Sequence, residues 1–567
     1  MGAKAGAQAA LPRCLLCWTG PRPSPGYKLS MRKLILAAAA AVLAVPAAAQ
    51  QPPPPKLLVV FSVDQFSADL FDEYRPQFTA GLARLATGTV FDKAYQSHAS
   101  TETCPGHSTI LTGDHPYRTG IIANSWIDQT LQRPDKNVYC AEDETVPGSS
   151  STAYKVSPKQ LLVPTLGDLM KLRWPGSRNV GVSGKDRAAV MMTGHNADQR
   201  WYWNGKQFTT DLASAPVPRV VPKVNAAIAG ALAQPRPPLQ PTPYCQTKAR
   251  PIPVEGGGKP VGAGQFARAA GDANALRASP EMDGDTLALA AGLVDEMQLG
   301  RGPAPDVLSV SLSATDYVGH TYGTEGEEMC LQLTELDREI GDFLSFLDSR
   351  GIDYAVTLTA DHGGKDIPER ERLAGVTDAQ RIDPALGATV MGRKLAAQLG
   401  LPGPGLLRNL GDMYIDHSLP EVDQKRLLDA AVAAYRAHPQ VAAVFTAAEI
   451  AATPVPTTPP DQWSLIQRAR ASYYPGRSGD FYVVLKKDVT PIADTTSYVA
   501  THGSPWDYDR RVPILFWRPG FRGATVTAPA DTVDIMPTLA ALIGLPIAAG
   551  SVDGHCLDGT PAFCPAP

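Results

Sequence analysis

The chain has 567 residues, 44% hydrophobic and 19% charged, the balance of a soluble globular protein with a large core. Its formal net charge is −4, from 52 Lys and Arg against 56 Asp and Glu. That balance argues against a nucleic-acid binder driven by its overall field, so any anion site must gather positive potential locally.

Residues 1–30 are rich in Pro, Gly and Ala without periodicity and read as translation from an upstream start codon. Met31-Arg32-Lys33-Leu34-Ile35-Leu36 then opens a secretory signal peptide over 31–49. It has a basic start, a short apolar centre and Ala47-Ala48-Ala49 before Gln50, and is too short to span a membrane. Its removal takes six basic residues and no acid, leaving 46 basic against 56 acidic. The expected mature protein is exported, periplasmic or extracellular, with no membrane attachment after cleavage. Six cysteines remain: Cys104, Cys140, Cys245, Cys330, Cys556 and Cys564. An even count in an exported chain suits disulfides, with fifteen connectivities open. Proximity makes Cys556 with Cys564 the best single pairing. Cys104 is expected to pair too, Cys140 being one partner open to it.

Leu57-Leu58-Val59-Val60-Phe61-Ser62-Val63-Asp64 is a continuous apolar run ending in an acid, as in a strand buried on both faces of a parallel sheet. The design recurs. Val180-Gly181-Val182-Ser183 leads to Gly184-Lys185-Asp186-Arg187, and Val307–Leu312 leads to Asp316-Tyr317-Val318-Gly319-His320. Tyr354–Ala360 leads to Asp361-His362-Gly363-Gly364. A later strand, Val512–Trp517, has no acid after it. Helical patterns cover 281–298, 325–349 and 534–543. The second of these places Met329, Leu333, Leu336, Ile340, Phe343, Leu344 and Leu347 on one face.

This alternation predicts an α/β fold: a doubly wound, mostly parallel sheet flanked by helices, with ligands at the carboxyl ends of the strands. Two stretches break it. Residues 214–270, with little periodicity, read as a surface insertion. Residues 366–500 read as a subdomain over the site, with a helix near 423–437 and a strand at Phe481–Leu485. Residues 50–567 are thus expected to form one domain with two insertions.

In Ala99–Gly113, Pro105 suits a first helical position, which puts Thr103 at about the N-cap. A hydroxyl there faces unpaired N–H groups and the positive end of the helix dipole, so it either caps the helix or meets a phosphate. Asp64, Asp316, His320, Asp361 and His362 follow strands, and His502 lies in the turn-rich Thr501-His502-Gly503-Ser504-Pro505. Three Asp and three His form a ligand set suited to Zn²⁺. Two metals about 3.5–4 Å apart serve in-line displacement at phosphorus.

Five segments in order, Val63-Asp64-Gln65-Phe66, Thr103-Cys104-Pro105-Gly106-His107, Asp316–His320, Ala360-Asp361-His362-Gly363 and Thr501-His502-Gly503, resemble the alkaline phosphatase superfamily in its threonine-nucleophile branch. The resemblance runs from about Leu57 to Gly554. It implies two Zn²⁺ per chain, one on Asp316, His320 and His502, the other on Asp64, Asp361 and His362 with Thr103 as a further ligand. Thr103 would be the nucleophile of a covalent phosphothreonine mechanism, and Asn124, Lys185 and Arg187 would bind the phosphoryl oxygens. His107 is expected to be structural. Surface carboxylates leave room for structural Ca²⁺.

The Lys185-x-Arg187 pair resembles the monoesterase members, because a dianionic monoester gains most from added cations. Small-molecule phosphate monoesters are therefore the expected substrates. A phosphodiesterase or nucleotide pyrophosphatase of the same superfamily is the alternative. Cys104-Pro105-Gly106-His107-Ser108 lacks the Pro and Arg of the formylglycine sulfatase signature, which argues against that branch.

Overall fold

The computed structural model describes residues 53–408, 411–562 and 564. The start-codon extension and signal peptide lie outside them. Every residue of Leu57–Val63 (β1) is buried, because the strand has helices on both sides. Leu57, Val59, Phe61 and Val63 face one apolar cluster, while Leu58 and Val60 face another that holds Ile110 and Leu111. Strand side chains alternate between faces, so a strand buried twice must be apolar throughout.

The other strands of this nine-stranded sheet are Thr89–Phe91 (β2), Asn179–Ser183 (β3), Gln199–Trp203 (β4), Phe208–Thr209 (β5), Asp306–Leu312 (β6), Tyr354–Thr359 (β7), Ile514–Trp517 (β8) and Thr525–Val526 (β9). Their spatial order is β9-β2-β8-β7-β1-β6-β3-β4-β5. Strands β7, β1, β6, β3 and β4 run parallel. Strand β8 is antiparallel to both of its neighbours. That orientation explains why no site acid follows it: its carboxyl end points to the opposite edge of the sheet.

The main helices here are Thr103–Thr112 (α1), Asp186–Thr193 (α2), Glu281–Met297 (α3), Ala314–Tyr322 (α4), Glu327–Ser349 (α5) and Ile535–Leu542 (α6). The seven apolar residues expected on one face of α5 are all buried, and Phe343 meets Phe61 edge-on with ring centroids 5.7 Å apart. Among the described residues no helix is long and apolar enough to cross a membrane.

The stretch 214–270 is more ordered than its composition suggests. It carries helices Val220–Leu232 and Pro243–Lys248, and buries Val221 and Ile228 in the main core. Phe266 joins the same core, and Cys245 is bonded to Cys330 of α5. Residues 366–500 hold a four-stranded sheet in the order Leu406–Leu407, Gly411–Ile415, Phe481–Leu485, Val441–Thr446. Helix Glu421–Arg436 packs with it around a separate core that includes Met413, Leu427, Tyr435 and Phe481. The remaining disulfides are Cys104–Cys140 and Cys556–Cys564.

His115, just past α1, clamps the C-terminal segment. Its Nε2 lies 3.0 Å from Asp531 Oδ2 and its Nδ1 3.0 Å from Asp553 Oδ2. A carboxylate at each ring nitrogen requires the imidazolium, in which both are donors. Burial opposes that charge, but Asp531 and Asp553 outweigh it and push the pKa up from 6.5 to about 10. A raised pKa means stability that is complete below the unfolded value and lost as pH rises through about 10. His115→Gln is expected to lower the melting temperature by several degrees at neutral pH. In thermal melts the gap between parent and variant should close above pH ~10; a constant gap would show that packing, not charge, sets the effect.

Candidate active site

The parallel strands deliver their carboxyl ends to one place. Asp64 follows β1, Lys185 follows β3, Asp316 and His320 sit one turn apart on α4 after β6, and Asp361 and His362 follow β7. All but His320 are buried.

Helix α1 begins one residue earlier than the sequence suggests. Glu102 is the N-cap, in extended conformation, and Thr103 is the first helical residue. Pro105 is still tolerated, because the N–H it lacks would be unpaired in the first turn anyway. Glu102 Oε2 does not cap the helix; it accepts the Asn124 N–H at 2.7 Å. The Asn124 side chain turns back to α1, its Oδ1 accepting the Cys104 N–H at 2.8 Å. The carbonyl end of the amide is used there, so its NH₂ end is the one left to donate. Gly106 lets α1 abut β7: a Cβ at this position would lie 1.9 Å from the Asp361 carbonyl oxygen.

Three histidines point their Nε2 atoms into the site because each Nδ1 is taken by a main-chain carbonyl. The partners are Ala500 O for His320 at 2.9 Å, Gly363 O for His362 at 2.8 Å and Thr101 O for His502 at 2.8 Å. Such a bond fixes the tautomer in which Nε2 is a free lone-pair donor. His320 Nε2 and His502 Nε2 lie 3.2 and 3.3 Å from Asp316 Oδ1. His362 Nε2 lies 3.3 Å from Asp361 Oδ2 and 3.5 Å from Asp64 Oδ1. The rings of His362 and His502 stack with centroids 3.6 Å apart.

Two groups of donor atoms are close enough to share one ion each: Asp316, His362 and His502, and Asp64, Asp361 and His362. His362 therefore stands between the two ligand sets, not in one alone. His320, expected in the first set, lies beside Asp316 but outside the group whose atoms are close enough to share one ion. Within them Asp64 Oδ1, Asp316 Oδ1, Asp361 Oδ2 and His362 Nε2 are buried without a hydrogen-bond partner. Buried carboxylates left this way are costly, and the donor chemistry fits divalent zinc. Burial and the charge of Asp361 push the Asp64 pKa well up. Burial together with the neighbouring His502 holds His362 neutral, its pKa pushed down to about 3 despite Asp361.

Lys185 sits deeper than a solvated basic turn would place it. Its ammonium lies 2.6 Å from Asp64 Oδ2 and 2.5 Å from Asp316 Oδ2. Burial opposes this charge, and the two carboxylates raise its pKa nonetheless. Arg187, in the first turn of α2, donates from Nη2 to Thr103 Oγ1 at 3.3 Å. The turn is held by Asp186, which accepts the hydroxyls of Tyr139 at 2.7 Å and Tyr154 at 2.8 Å.

His107, expected to be structural, has its Nδ1 3.1 Å from Asp361 Oδ2 and 2.9 Å from the Thr103 carbonyl, so it links the nucleophile candidate's helix to a ligand candidate. Sequence reasoning missed other supporting residues. Gln65 adopts a left-handed φ of 62° and donates its N–H to Asp361 Oδ1 at 3.2 Å. Its position directly after Asp64 was the available signal. Tyr139, Tyr154 and Glu102 carried none.

Residues 58–505 match the type I phosphodiesterase / nucleotide pyrophosphatase family. The chain belongs to that family. Its place within the alkaline phosphatase superfamily follows from its relatives. Alkaline phosphatase PhoK of a Sphingomonas species is 53% identical over 509 residues, 88% of this chain and 90% of that one. Alkaline phosphatase PhoD of Zymomonas mobilis is 50% identical over 511 residues, 89% of this chain and 88% of that one. The crystal structure of alkaline phosphatase PafA superposes with a TM-score of 0.78 at 26% identity, covering 90% of this chain and 99% of that chain. A PafA variant changed at a threonine, an asparagine, a lysine and an arginine has been solved as well, with a TM-score of 0.76.

Proposed function

We propose that the protein is a zinc-dependent alkaline phosphatase that hydrolyses small phosphate monoesters to an alcohol and inorganic phosphate. The observation that carries this reading is the Thr103 hydroxyl, at a helix N-terminus, under Arg187 and beside two ligand groups that share His362. The relatives support it by name, and Thr103, Asn124, Lys185 and Arg187 are the four residue types changed in the PafA variant.

Asp316, His320 and His502 would hold one Zn²⁺, and Asp64, Asp361 and His362, with Thr103 Oγ, the second. When bound, the ions supply Lewis-acid charge that acidifies hydroxyl and water ligands and neutralises the attacking and leaving oxygens. Thr103 Oγ attacks phosphorus as the bond to the alcohol oxygen breaks, giving a phosphothreonine. Water then attacks the same phosphorus, and Thr103 Oγ leaves. In both steps the non-bridging oxygens meet the Arg187 guanidinium, the Asn124 NH₂ and the Thr103 N–H at the start of α1. Three disulfides require an oxidising compartment, in keeping with an exported protein.

The family description also covers diesterases, and the two cations decide between the readings. A monoester dianion gains more from fixed positive charge than a diester monoanion. Arg187→Ala is expected to lower kcat/KM for p-nitrophenyl phosphate roughly 10- to 1,000-fold. Turnover of the bis ester should fall much less, so the ratio of the two rates shrinks. Lys185→Ala should act in the same direction but also cost stability, because it strips a partner from two buried carboxylates. Equal losses on both substrates would favour the diesterase reading.

A further inference from the structure

A cleft of about 590 Å³ opens beside the His320 side of the site. Its walls include Asn274, Arg277, Tyr317, Thr321, Tyr322 and Tyr498. Two of these also touch the site residues. The Tyr498 ring packs on His320 with centroids 4.7 Å apart. The Tyr317 ring lies 4.9 Å from the Lys185 ammonium and 4.4 Å from the Arg277 guanidinium carbon. One aromatic ring thus carries a cation of the phosphate site and a cation of the cleft.

Arg277 is not committed to an ion pair in the way that the other cations around the site are. Its Nε is buried without a hydrogen-bond partner. Asp272, the acid on the same wall, uses Oδ1 to accept the Ala275 N–H as the cap of helix Ala273–Arg277. A guanidinium that makes no ion pair among the described residues and stacks on a tyrosine can receive a carboxylate or phosphate through its Nη atoms, the buried Nε facing the protein. The surrounding tyrosines offer flat apolar area with hydroxyls at the edge, which suits a ring or short chain between two anionic ends.

We propose that this cleft is a leaving-group subsite that selects phosphate monoesters whose alcohol part bears a second anion, with Arg277 as the specificity-determining residue. The inference rests on the phosphatase reading above and deepens it. With the phosphoryl group at Thr103 and Arg187, an alcohol leaving past His320 enters the cleft between Tyr317 and Tyr498. An anion about one ring farther on meets Arg277. The class includes carboxylated aryl phosphates and small bisphosphates.

The test compares 4-carboxyphenyl phosphate with its neutral isostere, 4-carbamoylphenyl phosphate, on the full-length holoenzyme. The amide is the somewhat better leaving group, a bias that salt does not change, so the salt-dependent part of the kcat/KM ratio reports on the remote charge. The parent should prefer the carboxylate at least about 5-fold at low ionic strength, chiefly through KM, and the preference should fade as salt rises. Arg277→Gln should bring the ratio to about 1, and Arg277→Glu should invert it in favour of the amide. The salt dependence needs no variant, so a poorly folding substitution leaves the test intact. A parent ratio near 1 at low salt, or a preference that survives Arg277→Gln, would overturn the subsite. Failure of the parent to hydrolyse either ester would instead overturn the phosphatase reading.

Discussion

Thr103→Ala should keep the fold and most of its bound metal, yet lose turnover of p-nitrophenyl phosphate by several orders of magnitude. The fold should survive because the Thr103 side chain makes one hydrogen bond, to Arg187, and caps no helix N–H, Thr103 being the first helical residue. Turnover should collapse because no other hydroxyl is held at this helix start under a guanidinium fork. Thr103→Ser keeps an oxygen in place and should retain measurable activity. Acid quenching during turnover of labelled substrate should trap phosphate on Thr103 in the parent and nothing at that position in the Ala variant. Parent-like turnover by Thr103→Ala would move the nucleophile elsewhere and end the mechanism proposed here.

Removal of metal should be as severe. Three buried carboxylates, Asp64, Asp316 and Asp361, converge with only Lys185 paired directly to two of them. Stripping divalent ions leaves the mutual repulsion that already raises Asp64. Chelation is therefore expected to abolish activity and also to lower the melting temperature, since an ion bound only by the folded state stabilises it. Zinc should restore both, and metal analysis should return about two ions per chain. Asp361→Asn removes one ligand charge and should lower zinc content and activity together. Full turnover in protein shown to be metal-free would sink the zinc proposal.

The alternation of strands and helices was legible because burial on both faces forces an unbroken apolar strand, and β1 shows it directly. Site acids and histidines stood out for the same reason: polar residues at the ends of such strands contrast with what precedes them. The ordered helices within 214–270 were not legible. Helix Val220–Leu232 does set Val221, Val224, Ile228 and Leu232 three and four residues apart toward the core, but the pattern is short and lies among Pro, Gly and Ala. The disulfide from Cys245 to α5 leaves no periodic signal.

By itself the sequence determined the fold class and which residue types can carry phosphoryl chemistry, because periodicity and side-chain chemistry are local properties. Only the tertiary structure decided how those residues meet. Two ring tautomers are set by carbonyls far away in the chain, His320 by Ala500 and His502 by Thr101. Lys185 was legible as a basic residue, but its place between Asp64 and Asp316 depends on the convergence of three strands. Arg277 drew no notice in the sequence. Its proximity to the site arises because Tyr317, next to Asp316, projects its ring between two cations that are distant in sequence. Charge and geometry across separate strand ends are properties of packing, and no linear pattern encodes them.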